Sequence, residues 1–398
     1  MPTETADGIA LEDPEEITPE KEITATWEHE DLATVRIKVI RGHSDAVNSC
    51  QYLRDDERIL TASSDRSIKI WTTDTGRLAH SFESAHSQII TEARATQDGK
   101  RFLSGSWDKF VKAWDAETGK NLWTGHHEGA VMCCKLSHDG KLAASGSDLD
   151  NTLIVWETDT GKIVHKIPGM HSSSITSCIF SPNDDKVCTT SMDRTSKFFD
   201  LKSCATIIKL GGHINVIADC DFSPDERKFA TASWDKNIQV WDIATGTYRS
   251  KGPSTLHGSH DGSVSCCRFS NDGQMMVSGS YDQNIVVWDV ENMMEKVKLQ
   301  GHTDWVEDVC FNKDDSWLLS CSKDHTIRMW NIEDSDKIPV VLEKRKAVGL
   351  KIIKCQNCGK PFSMAQLENF RDLTICVFCR LQATEHTMVS TISSNERL

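Results

Sequence analysis

Seven histidines, His43, His86, His127, His171, His213, His260 and His302, open seven similar stretches of this 398-residue chain at intervals of 43, 41, 44, 42, 47 and 42 residues. The fifth stretch shows the pattern in full: Gly212-His213, then Ala232-Ser233-Trp234-Asp235-Lys236-Asn237-Ile238-Gln239-Val240-Trp241-Asp242. A unit of this size must pack on its neighbours to bury an apolar face, and the period is that of a propeller blade. One large ring with appendages is expected, rather than the two or three average domains that the length alone would allow.

Within a unit the local signals are those of four short antiparallel strands. In the fifth, Val216 to Phe222 alternates, Ser223-Pro224-Asp225-Glu226 turns, and Lys228 to Ser233 forms a second strand. Trp234-Asp235-Lys236-Asn237 reverses the chain into Ile238 to Trp241, and Ala244-Thr245-Gly246 leads to a fourth strand near Thr247 to Ser250. Asp98-Gly99-Lys100, Asp139-Gly140-Lys141 and Asp272-Gly273-Gln274 repeat the turn chemistry in other units. Ahead of the first unit, Val35, Ile37 and Val39 alternate with polar residues as a strand does.

Gly42-His43, Asp65 and Trp71, with the counterparts Asp108 and Trp114, Asp282 and Trp288, and Asp324 and Trp330, resemble the WD-repeat (WD40) family over about residues 35–342. The resemblance implies an all-β fold, a seven-bladed WD-repeat β-propeller. The step from His to the closing Trp or Phe is 28 residues in every unit but the third, where Asp148-Leu149-Asp150 adds one. Asp150 keeps the six-residue step to Trp156 and is taken as the matching Asp, with Leu149 displaced. In the family the strand before the first Gly-His completes the last blade, which implies Val35 to Ile40 outside the seventh. Ile338-Pro339-Val340-Val341-Leu342 competes for that slot, although Pro339 cannot donate to a ladder and suits an edge.

Each unit carries a His, a hydroxyl four residues before an Asp, the Asp, and usually a Trp. The sets are His43, Asp65, Trp71; His86, Asp108, Trp114; His127, Asp150, Trp156; His171, Asp193 with Phe199; His213, Thr231, Asp235, Trp241; His260, Asp282, Trp288; and His302, Asp324, Trp330. His, Ser and Asp together suggest a hydrolase triad, but an active site needs one exposed nucleophile, whereas this set recurs with Thr61, Ser104, Thr189, Thr231, Ser278 and Ser320. The set therefore reads as structural, no catalytic residue is assigned, and no enzyme is expected. Trp N–H donates to the hydroxyl, the hydroxyl to one imidazole nitrogen, and the other imidazole N–H to the carboxylate. Blade four is expected to be weaker because Phe199 has no N–H. Ala85-His86 and Ser259-His260 lack the glycine, which leaves their loop geometry open.

By analogy with the family, the residue before each tight-turn Asp, and those flanking the apolar residue four after the His, lie on one rim. The rim then includes Ile89, Trp107, Met132, Leu149, Met192, Trp234, Tyr281 and Trp305. Aromatic and Met side chains are those that protein interfaces concentrate, so this rim is the expected protein-partner face.

Outside the ring, residues 1–31 hold eleven Asp/Glu and one Lys, −10 of the net −14, and residues 1–33 are expected to form an acidic disordered tail. Ile17, Ile23 and Trp27 could anchor it to a partner; otherwise it is a solvated tail. The remainder is close to neutral, which argues against general attraction to nucleic acid. No secretory leader pattern and no run of 18 apolar residues is present, so a non-secreted cytoplasmic or nuclear protein off the membrane, monomeric by itself, is expected.

Eleven of the fifteen Cys lie in the repeats, and Cys50, Cys134, Cys178, Cys220 and Cys267 each fall seven residues after a His, a slot read as small, buried and apolar. The other four, Cys355, Cys358, Cys376 and Cys379, have four-thiolate zinc spacing. They imply one structural Zn2+ per chain in a small zinc-ribbon-like module spanning 343–380, with unpaired or disulfide-linked thiols as the competing reading. Lys344, Arg345, Lys346, Lys351, Lys354 and Lys360 make its approach basic, which suits either a solvated connector or an RNA contact. Residues 381–398 read as a polar tail. A protein-binding scaffold is the first functional reading, and an RNA-associated factor the second.

Overall fold

The computed structural model describes residues 28–31, 35–53, 56–246, 248–333, 352–354 and 361–363. Its repeats form seven antiparallel sheets whose first strands touch in a closed circle. Blade five consists of Ile217–Phe222, Lys228–Ser233, Ile238–Asp242 and Ser254–Leu256. Its fourth strand thus lies beyond the expected position, because a one-turn helix, Tyr248–Lys251, intervenes and accounts for the longest His-to-His interval.

Ring closure follows the N-terminal alternative. Arg36–Arg41 pairs antiparallel with Thr326–Asn331, so blade seven joins both ends of the propeller sequence. The competing segment, residues 338–342, lies outside the described residues. Glu28–Asp31 adds a fifth strand by pairing with Arg36–Arg41, which corrects the expectation of disorder for that part of the acidic tail. No alternation of apolar residues announces this strand; an exposed sheet edge supplies the pairing instead.

The core is divided among the junctions. Seven apolar clusters are present, each drawn from two neighbouring blades, such as Leu60, Ile68 and Phe82 of blade one with Ala93, Phe102 and Trp114 of blade two. The recurrent cysteines Cys50, Cys134, Cys178, Cys220 and Cys267 have no exposed surface. Desolvation by burial pushes the Cys50, Cys134, Cys220 and Cys267 thiols up, as expected for inert apolar fillers.

All seven first strands share one irregularity. The register shifts between the fourth and sixth residues after the His, as at Val306/Asp308 and Ile90/Glu92. A bulge at a fixed place re-aims the residues that follow it. Here these are the residues six and eight after each His, which meet their counterparts across the junctions.

Candidate functional site

The repeated polar set is a fastener. In six blades His Nδ1 donates to the turn Asp at 2.8–3.1 Å. In the same six, His Nε2 lies 2.7–2.9 Å from the Ser or Thr hydroxyl. The closing Trp of every blade but the fourth gives its N–H to that hydroxyl at 2.7–3.3 Å. Phe199 leaves Thr189 without this donor. His86–Asp108 and His260–Asp282 form normally, so Ala85 and Ser259 replace the loop glycine without loss. At Gly42 the need is close approach, since a Cβ there would stand 2.5 Å from Trp71 Cη2.

Burial works against ionisation of Asp65, Asp108, Asp193, Asp282 and Asp324. The hydrogen bond and charge of the His partner more than offset it, holding each carboxyl below its ordinary range, with Asp108 at about 2. The hydroxyls of Thr61, Ser104, Thr189, Thr231, Ser278 and Ser320 belong to residues with no exposed surface, which denies them to a substrate.

Blade three departs from the expected match. His127 Nε2 keeps Ser145 at 2.7 Å, but His127 Nδ1 has no partner among the described residues. The inserted residue turns Asp150 away, and its carboxylate accepts from Ser147 Oγ instead. Burial without the carboxylate hydrogen bond pushes the His127 imidazole down to about 4.

The rim positions are locked in pairs by backbone hydrogen bonds from the residue before the turn Asp: Trp107 N to Ile89 O at 3.0 Å, Trp234 N to Val216 O at 2.9 Å, Lys323 N to Trp305 O at 2.9 Å. In blade three Asp148, not Leu149, takes this bond, and Leu149 is thrown out to 77 % exposure. Trp107 and Trp305 are 48 % and 40 % exposed, while Ile89, Met132, Met192, Trp234 and Tyr281 are half-buried.

Three of these residues form a strip over blades five to seven. Tyr281 stacks on Trp305 with centroids 4.3 Å apart, Trp234 lies 6.3 Å from Tyr281, and Lys323 Nζ sits 4.0 Å above the Trp305 ring. Glu307 holds the same ammonium at 3.3 Å, and burial pushes its carboxyl up against the opposing pull of Lys323. Sequence reasoning missed Lys323 and Ile214. Ile214 is 80 % exposed in a loop slot that is polar in the other blades (Ser44, Ser87, Glu128, Ser172, Asp261, Thr303), and that contrast was its signal.

A second polar system was also missed. Arg94 bridges Glu92 at 2.9 Å and Asp308 at 2.6 Å, Lys135 pairs with Glu92, and Arg268 pairs with Asp219 at 2.5 Å. The acids reach across junctions to backbone N–H groups of another first strand: Glu92 to Cys134, Asp308 to Cys50, Asp219 to Cys267. Burial opposes Glu92 ionisation, but Lys135 and Arg94 hold the carboxyl at about 2; desolvation pushes the half-buried Asp221 up to about 6 against the pull of Arg268. Aligning the units on positions six and eight after the His brings these charges together. A cavity of about 550 Å³ at one mouth of the channel is lined by Tyr52, Arg94, Lys135 and Arg268, among others.

Seven blades in a closed circle, six of them tied by buried His–Asp pairs, with an aromatic strip over blades five to seven, define a repeat propeller. The chain belongs to the WD-repeat family: the family described as WD domain, G-beta repeat matches it seven times, at residues 34–72, 76–115, 119–157, 161–200, 204–242, 252–289 and 294–331. Such propellers generally act as scaffolds for other proteins.

Human WD repeat-containing protein 88 is 41 % identical over 386 residues, 95 % of this chain and 82 % of that one. An Arabidopsis thaliana protein, Transcriptional corepressor LEUNIG_HOMOLOG, is 29 % identical over 212 residues, 52 % of this chain and 25 % of its own. Pre-mRNA-processing factor 17 of Saccharomyces cerevisiae is 25 % identical over 169 residues, 42 % and 37 % of the two chains.

Cys355, Cys358, Cys376 and Cys379, and the basic residues leading to them apart from the backbone of Lys354, lie outside the described residues. Among the described residues no group of three or more His, Cys, Asp or Glu is placed to hold a metal ion. No helix among them is long and apolar enough to cross a membrane.

Proposed function

We propose that this chain is a non-enzymatic scaffold that holds protein partners on its loop face, through Trp234, Tyr281, Trp305 and Lys323, with Trp107 on blade two as a further anchor. The observation that carries this reading is the Tyr281–Trp305 stack. It leaves large aromatic surface in solvent beside a cation, although the seven junction clusters are complete without it. Interface hot spots are aromatic side chains of this kind, and losing one weakens binding by 2 kcal/mol or more, roughly 30-fold. The test is affinity capture from cells with the intact chain and with Trp107→Ala and Trp305→Ala. Each variant is expected to lose a defined set of partners, and an unchanged capture profile would remove this face from consideration.

The metal module belongs to the same reading. We infer that Cys355, Cys358, Cys376 and Cys379 hold one Zn2+ with no open coordination position, as a structural clip for a second contact or an edge cap. Support comes from the pairing of Ile352–Lys354 with Pro361–Ser363, in register Lys354 with Pro361. That hairpin brackets the residues bearing the first Cys pair, as a two-cysteine knuckle needs.

A further inference from the structure

The cation in the aromatic strip is the chain's own. Lys323 Nζ lies 4.0 Å from the centroid of the Trp305 ring and 6.0 Å from that of Tyr281, with Glu307 Oε1 at 3.3 Å. Aromatic faces carry the negative part of the ring quadrupole and attract cations, and a carboxylate beside them adds to that preference. Two stacked rings and an acid thus make a place for positive charge, which Lys323 fills.

The fit is incomplete. Glu307 Oε1 is buried, and its contact with Lys323 Nζ is an ion pair off hydrogen-bond geometry, so this oxygen accepts no hydrogen bond. A buried acceptor in that state bears a desolvation cost that a better-aimed donor would remove. Burial pushes the Glu307 carboxyl up and Lys323 pulls it down, while Asp308 and Asp304 add to the upward push, so the surroundings favour a cation. Lys323 holds the place loosely. Its backbone N–H is fixed to Trp305 O at 2.9 Å, but its side chain is 37 % exposed, and an ion pair made by a partly exposed lysine is weak. Trp305, 40 % exposed, leaves the same place open to an incoming group. A planar guanidinium suits it better than the resident ammonium, because it can lie on an aromatic ring and direct an N–H at a carboxylate from one position.

We propose that a protein partner inserts a cationic side chain, arginine in preference to lysine, between the Trp305 ring and Glu307, displacing the Lys323 ammonium into solvent. Lys323 is then a placeholder that keeps Glu307 paired in the free chain, and its stem remains against the strip when the ammonium leaves. That assignment rests on reading the strip as a recognition surface.

Titration of the full chain with the capped peptide acetyl-Gly-Arg-Gly-amide tests the proposal, read from the Trp305 indole N–H by NMR and assigned through its absence in Trp305→Ala. The citrulline peptide, which has the same shape and no charge, is the control. Arginine is expected to bind about tenfold more tightly than citrulline, with the lysine peptide between them. Removing the placeholder in Lys323→Met should strengthen arginine binding about tenfold, and removing the acid's charge in Glu307→Gln should weaken it by a similar factor. General loss of structure would weaken binding in both variants, so opposite signs exclude it. Equal binding of arginine and citrulline would overturn the proposal, as would weaker arginine binding in Lys323→Met. Tighter binding of acetyl-Gly-Glu-Gly-amide than of the arginine peptide would make Lys323 a contact for an acidic partner and overturn it as well. No arginine binding, with captured partners still lost in Trp305→Ala, would reject the cation site and leave the scaffold reading intact; arginine binding with an unchanged capture profile would do the reverse.

Discussion

The missing His127–Asp150 contact makes blade three a built-in acid weakness whose size follows from the structure. His127 is 1 % exposed, and its imidazole titrates at about 4 against 6.5 for an ordinary histidine. Because the folded value is the lower one, the unfolded chain takes up the proton first. Stability is complete above pH 6.5 and is lost as the pH falls toward 4. Linkage between these two values gives a loss of about 2 kcal/mol between pH 7 and pH 5, and about 3 kcal/mol once both states are protonated. In a propeller of this size that is roughly 4 °C of Tm at pH 5. The perturbation is His127→Gln, which removes the titration while leaving an amide oxygen for the Ser145 hydroxyl. Scanning calorimetry of both proteins at pH 7 and pH 5 isolates this group, because every other residue is common to the two. Wild type should lose about 4 °C more than the variant, whatever their absolute Tm values. Parallel pH slopes would refute the claim that His127 is held neutral without a carboxylate partner.

Asp235→Ala leaves His213 Nδ1 and the Ile214 and Asn237 N–H groups without their acceptor, and should cost about 1–3 kcal/mol by urea unfolding. Asp150→Ala, which deprives no histidine, should cost less; equal losses would argue against the His–Asp tie as the energetic element. Asp308→Ala leaves Arg94 without a partner at 2.6 Å and Cys50 N without its acceptor, and is expected to destabilise by about 3–5 kcal/mol, with unchanged melting as the contrary result. For the thiolate module, metal analysis should find about one zinc per purified chain, lost in Cys376→Ser, and a metal-free wild type would refute the assignment.

The repeat made the ring legible because its period and the His–Asp–Trp spacing are properties of one unit, visible without knowledge of any other. What stayed hidden depends on relations between units or on local chain geometry. Asp150 keeps its six-residue step to Trp156, and only three-dimensional placement reveals that an inserted residue rotates its carboxylate onto Ser147. The fourth strand of blade five could not be placed from turn residues, since Ala244-Thr245-Gly246 precedes a helical turn and not a strand. Glu28–Asp31 has no strand pattern because an edge offers backbone pairing to almost any residue.

The inner charges carry the same lesson into function. Glu92, Arg94, Lys135, Asp219, Arg268 and Asp308 each look like an ordinary polar residue of an alternating strand, and only the closed circle turns them into cross-junction pairs. A ring is stable when every junction is satisfied, so slots common to all units are occupied by fasteners: the His, the hydroxyl, the Asp. Selection for a partner can act without damage only where the units are free to differ, and Ile214, Tyr281, Trp305 and Lys323 occupy such slots. Their clustering on blades five to seven is not required by the fold, because blades one to four close their junctions equally well without such a strip. On the proposed reading, the asymmetry serves recognition rather than stability.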